Sequence, residues 1–108
     1  MYTFLLTVPD QPSWPVVSEL IGTSSVKLEW TAPLSDVEIS RYVICYGVPE
    51  TDIAKYSEER FDGQTTSCTL TKLKPKTKYH FAVAAENKIG SGPLSIFSEC
   101  VLTHKQSG

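Results

Sequence analysis

"LKPKTKYHFAV" (residues 73–83) sets two local signals side by side. Leu73 to Lys76 is a basic, proline-bearing turn. From Thr77 onward bulky and polar residues alternate, with Tyr79, Phe81 and Val83 on one face and Lys78, His80 and Ala82 on the other. A period of two is that of a strand with one face turned to a core. Tyr79 stands at the join, six residues after Leu73 and four after Pro75. A crossing loop has no ladder partners for its backbone, and burying those groups unpaired is costly. Tyrosine answers both needs, since its ring fills core and its hydroxyl reaches loop backbone.

The same alternation recurs along the chain between clusters of Pro, Gly, Ser, Thr and Asp. Strands are predicted over 15–22, 25–31, 39–47, 53–59, 66–71, 77–86 and 98–104, with the fourth short, polar and at an edge. Turns are predicted at 49–52, 61–64 and 87–93. No stretch carries a helical period of useful length. Seven strands with regular turns point to an all-β fold, a seven-stranded antiparallel two-sheet sandwich. Parity puts Val26, Leu28 and Trp30 on one face of their strand and Tyr42, Ile44 and Tyr46 on one face of theirs.

The chain has 108 residues, suited to one domain with its own core. Residues 12–104 are assigned to it, 1–11 to a linker or the end of a preceding module, and 105–108 to a tail. Net charge is -2, with both signs mixed, so neither a nucleic-acid stripe nor an acidic tail is present. No apolar run is long enough to span a membrane. The three cysteines, Cys45, Cys68 and Cys100, cannot all pair within the chain, and their spacing fits no metal knuckle. The sole asparagine, Asn87, precedes Lys88 and Ile89 and is no glycosylation acceptor. These absences lean toward a reducing, intracellular setting, with an extracellular receptor or matrix protein left open.

In order and spacing, the segments resemble a fibronectin type III domain. The stretch from Leu73 to Tyr79 resembles the corner before strand F of that family, where the tyrosine hydroxyl reaches back to backbone near the leucine. Trp30 stands where the strand B tryptophan is expected, and "WTAP" (30–33) resembles its exit. "ISRYVICY" (39–46) resembles strand C, "AAENKIGSG" (84–92) the F–G turn, and Thr103 lies where strand G ends. The resemblance implies structural roles for Trp30, Leu73, Pro75 and Tyr79. It also implies that strands C, F and G are neighbours in one sheet. The integrin-type Arg-Gly-Asp tripeptide is absent. "LSIFS" (94–98) occupies the place of the cytokine-receptor Trp-Ser-x-Trp-Ser, with both tryptophans missing.

Nothing in the chain assembles a catalytic constellation. His80 and His104 are read as solvated surface residues, no Gly-x-Ser-x-Gly elbow occurs, and "IGSGP" (89–93) lacks the lysine and helix of a phosphate loop. No enzyme activity, cofactor or metal is expected. The expected role is a protein-binding module within a larger multidomain protein, contacting a partner or neighbouring domains and monomeric in isolation. The alternative is a structural spacer in a tandem array. The outer C–F–G face, formed by Val43, Cys45, His80, Ala82, Ala84, Cys100 and Leu102, is unusually apolar for a solvent-facing sheet, which marks it as a candidate contact. The stems of Arg41 and Lys78 could instead cover it. The F–G turn at Lys88 and Ile89 is the second candidate. Cys45 and Cys100 are expected to be reactive and Cys68 buried. Trp14 either caps the end of the sandwich or is exposed to a neighbour.

Overall fold

The computed structural model describes residues 6–104. Its strands are β1 (Val16–Ile21), β2 (Ser25–Glu29), β3 (Arg41–Gly47), β4 (Ser57–Asp62), β5 (Ser67–Leu70), β6 (Lys78–Glu86) and β7 (Val101–Leu102). They form two antiparallel sheets, β1-β2-β5 and β4-β3-β6-β7. Residues 1–5 of the segment 1–11, and the whole of the tail 105–108, lie outside the described residues.

The core is built from the predicted parities. Val26, Leu28 and Trp30 come from one sheet, and Tyr42, Ile44, Tyr46, Tyr79, Phe81 and Val83 from the other; all are buried. The register Tyr42↔Ala85, Ile44↔Val83 and Tyr46↔Phe81 stacks these inward residues in cross-strand pairs. Such pairs are the unit of sheet stabilisation. Val101 is half-buried and packs against the same cluster.

Two predicted strands are corrected. The fourth runs over 57–62, not 53–59, so its end takes in Phe61 and Asp62 of the expected turn. Ile53–Lys55 instead forms one 3-10 turn, begun by the Asp52 side chain accepting a hydrogen bond from the Ala54 N–H. The strand does lie at the edge of its sheet. The charges of Glu58 and Arg60 blunt that edge against pairing with another chain. The seventh strand shrinks from 98–104 to Val101–Leu102, for a reason given by the segment ahead of it.

The corner before β6 is made by two side chains. The Lys74 N–H donates to Tyr79 Oη at 3.0 Å. The backbone group that the hydroxyl satisfies is thus a donor. Thr103 Oγ1 accepts from the Thr77 N–H at 2.9 Å and donates to the Lys74 carbonyl at 2.7 Å. Leu73 is buried beneath and Pro75 is half-buried in the turn. Replacing Tyr79 with Phe keeps the ring and strands the Lys74 N–H, so the expected loss is about 1–3 kcal/mol. Urea midpoints measure it, and a midpoint equal to that of the parent would refute the corner bond.

Candidate functional site

The outer face of the larger sheet is already occupied. After β6 the chain turns at Asn87, whose side-chain oxygen accepts from the N–H groups of Ile89 and Gly90. It then runs back along β6 without joining the ladder as a strand. The N–H groups of Gly92, Ser95 and Ser98 donate to the carbonyls of Ala85, Val83 and Phe81. The N–H groups of Val83 and Phe81 donate in return to the hydroxyls of Ser95 and Ser98, at 2.9 and 3.0 Å. Each hydroxyl passes its own proton to the next carbonyl, that of Ile96 or Glu99. A serine hydroxyl therefore stands where a strand would place a carbonyl. The segment advances three residues for every two of β6, the period of a polyproline II helix. This is why no strand forms before Val101.

A period of three also decides where the side chains fall. With Ser95 and Ser98 turned to β6, Leu94 and Phe97 share the next face. Leu94 lines a cleft with Val43, Cys45 and Ala84. The Phe97 ring stacks on His80 at 4.2 Å between centroids. Tyr56 meets Phe97 edge-on, and its Oη lies 2.6 Å from His80 Nε2. Gly47 makes room for that ring, since a Cβ there would lie 2.5 Å from it.

The candidate contact face is corrected accordingly. Val43, Cys45, Ala82 and Ala84 do point away from the core, but all four are buried. Leu94, Phe97 and Tyr56 belong with them, whereas the reading from sequence offered the face as a contact, with the stems of Arg41 and Lys78 as the alternative cover. Arg41 instead pairs with Glu86 at 3.1 Å. His80 is half-buried rather than solvated, and burial holds its imidazole below the ordinary value. Cys100 and Leu102 remain exposed, as do Lys88 and Ile89 of the turn.

The thiols divide differently from the expectation. All three are free, with Cys45 buried, Cys68 half-buried rather than buried, and Cys100 exposed. Burial, and then the charge of Glu58, pushes the Cys45 thiol up. Burial, followed by Glu59, pushes Cys68 up to about 12. A thiolate is the reactive form. Native alkylation is therefore expected to label Cys100 first and leave Cys45 and Cys68 until unfolding. Mass mapping reads the order, and early labelling of Cys45 would mean that the cover opens readily.

One end of the sandwich carries three of the exposed large apolar residues. The segment before β1, read from sequence as a linker up to residue 11, is laid against the loops there. The Asn87 side chain donates to the Thr7 carbonyl, and the Asp10 N–H donates to that of Leu34. Gly92 lies so close to this segment that a Cβ would sit 2.2 Å from the Pro9 carbonyl oxygen. Leu6, Leu34 and Ile89 project from these three adjoining segments, Leu34 with 82% of its surface exposed. Trp14 caps nothing. It is 53% exposed and lines a groove with Val16, Glu99 and Val101, between the outer edges of β1 and β7.

Among the described residues no group of three or more His, Cys, Asp or Glu could hold a metal ion. No helix there is long and apolar enough to cross a membrane. A two-sheet antiparallel sandwich with a tyrosine-pinned corner and a serine-bonded return defines the class, an immunoglobulin-like β-sandwich module. The family model of the fibronectin type III domain matches residues 10–101, and the chain belongs to that family. It is 34% identical over 106 residues to human fibronectin type-III domain-containing protein 3A, covering 94% of this chain and 8% of the relative. It is 32% identical over 101 residues to rat contactin-3, covering 90% of this chain and 10% of the relative. The chain thus spans a tenth or less of these relatives. Among solved structures, titin domains A168–A170 match with TM-score 0.82 and 32% identity, over 93% of this chain and 34% of that one. The fn3 domain of human contactin 1 matches with TM-score 0.81 and 25% identity, over all of this chain and 89% of that one. Members of the family are in general non-catalytic adhesion or structural modules.

Proposed function

We propose that this chain is a non-catalytic protein-interaction module of a longer multidomain protein, and that it binds through the end bearing Leu34, Lys88 and Ile89. The observation that carries the reading is the exposure of Leu34 and Ile89 on adjoining loops joined by the Asn87 side chain, which accepts from the Ile89 N–H and donates to the Ser35 hydroxyl. Exposed apolar side chains grouped on rigid loops support contact with a protein surface. The larger apolar face of the β4-β3-β6-β7 sheet supports no such contact, because its own chain covers it. Lys88 and Ile89 were candidates from sequence, and Leu34 joins them.

The test uses the adjoining module or partner as bait. Leu34→Glu with Ile89→Glu is expected to abolish capture while leaving the thermal midpoint within about 2 °C, since exposed changes cost little. Undiminished capture by the folded double variant would remove this end from consideration. A spacer reading is supported by a different observation, the hydrogen bonds that Thr7 and Asp10 make to the loops. It requires a fixed angle between modules, and small-angle scattering of a two-module fragment reads that angle directly.

A further inference from the structure

Five of the ten basic residues, Lys55, Lys72, Lys74, Lys76 and Lys78, fall in the 3-10 turn and in the seven-residue stretch 72–78. The chain as a whole carries a net charge of -2. Three of the five, Lys55, Lys72 and Lys74, line one cleft at the end of the sandwich opposite Leu34. Its wall holds the rings of Tyr46, Tyr56 and Tyr79, with Thr51 and Thr77 beside them. No carboxylate lines it. Among the described residues the ion pairs are Arg41–Glu86 and Arg60–Glu58, so none of these lysines is neutralised by a carboxylate within 4.0 Å. Of the acidic residues next to the cleft in sequence, Glu50, Asp52 and Glu58, Asp52 caps the 3-10 turn and Glu58 pairs with Arg60, while Glu59 accepts from the Tyr46 hydroxyl at the wall.

The two sides of the cleft are held in place independently. Lys55 belongs to the capped turn, and the adjacent Tyr56 packs over Gly47. Lys74 is fixed through its N–H on Tyr79 Oη and its carbonyl on Thr103. Lys76, next along the corner, has a φ of 50°, a left-handed conformation that lysine rarely adopts. Like charges brought together from separate elements repel unless an anion lies between them. Lysines act as point charges on phosphate or sulfate, and the Tyr79 hydroxyl, which accepts from the Lys74 N–H, keeps its own proton to donate beside them.

We infer that this cleft binds a small, multiply charged ligand carrying phosphate or sulfate groups, with Lys55 on one side and Lys72 and Lys74 on the other. The 108-residue chain is titrated with pyrophosphate and with a persulfated disaccharide, followed by amide shifts. Saturable shifts at Gly47, Thr51, Lys74 and Thr77 that weaken with added salt are expected. Lys72→Gln with Lys74→Gln should weaken binding at least about tenfold with an unchanged melting curve. Lys27→Gln with Arg60→Gln, the same change in charge placed elsewhere, should leave it within about twofold. Equal weakening by the two pairs would reduce the effect to net charge and overturn the site. So would the absence of saturable shifts in the parent. Binding to vesicles of anionic lipid without a response to either free ligand would overturn the free-ligand assignment in favour of a headgroup.

Discussion

Trp30→Ala is expected to cost about 3–5 kcal/mol, the range for removing a buried large aromatic side chain. Trp30 lies just past the end of β2, where the ladder gives way to the loop, and its backbone N–H donates to the Thr66 carbonyl at 2.9 Å. Its ring meets Tyr42 edge-on, with centroids 5.3 Å apart. It therefore ties the β2 layer to the β3 layer, and little nearby can collapse into the space it leaves. Tyr42 across from it is fully buried and held by the ladders of β3 on both sides. A small domain has about 5–15 kcal/mol in all, so this one change consumes a large part of it. Trp30→Phe should recover more than half of the loss, because a ring still spans the two layers. Urea unfolding followed by far-ultraviolet circular dichroism measures both. A cost below about 1 kcal/mol for the alanine variant would mean that the ring is not a central core element.

The core was legible because its signals are periodic. Val26, Leu28 and Trp30 alternate, as do Tyr42, Ile44 and Tyr46, and a period of two has one structural meaning. The corner was legible for a different reason. A proline turn followed by tyrosine states both where the chain bends and what must satisfy it. The second fastening of that corner, Thr103, lies 26 residues from its Thr77 partner, and local pattern carries no sign of that distance.

The cover over the outer face was missed because its period is three. Leu94 and Phe97, and likewise Ser95 and Ser98, are spaced by three, which reads neither as strand nor as a helix of useful length. Parity assigned Val43, Cys45, Ala82 and Ala84 to the outside, and it was right about direction. It does not report what lies on top. Apolar residues at outward positions were themselves the signal, since a face that stays in water alternates to polar. Two serines three apart, each preceded by a large apolar residue, name the segment that answers it. The fourth strand slipped for a simpler reason. "IAKYSEE" (53–59) alternates about as well as Ser57–Asp62, and only the Asp52 cap distinguishes a turn from a strand there.

The second large effect is expected from Ser95→Ala with Ser98→Ala. Each hydroxyl is the acceptor for a buried β6 N–H, that of Val83 or Phe81, and each donates to the next carbonyl. Alanine removes both bonds and leaves the N–H without a partner, a cost of about 1–3 kcal/mol at each site. The pair should therefore lose about 2–6 kcal/mol, less if water enters one position. The form of the loss matters more than its size. The core of Tyr42, Ile44, Phe81 and Val83 lies on the other side of the sheet and keeps all of its contacts. The return segment lies at the surface and is held to β6 through these bonds, through Leu94 and Phe97, and through the N–H groups of Gly92, Ser95 and Ser98, the only hydrogen bonds of the set that the variant keeps. Local opening, with the sandwich intact, is then cheaper than unfolding. Two readouts should separate. Circular dichroism at 25 °C should change little, while alkylation of Cys45 should become fast, because Leu94 no longer closes the cleft over it. Ser95→Thr, which keeps a hydroxyl, should leave Cys45 protected. If the double alanine variant instead labels Cys45 and Cys68 together, and only as the whole fold melts, the return segment is part of one cooperative unit with the core. The apolar face beneath it is then as permanent a part of the interior as Phe81.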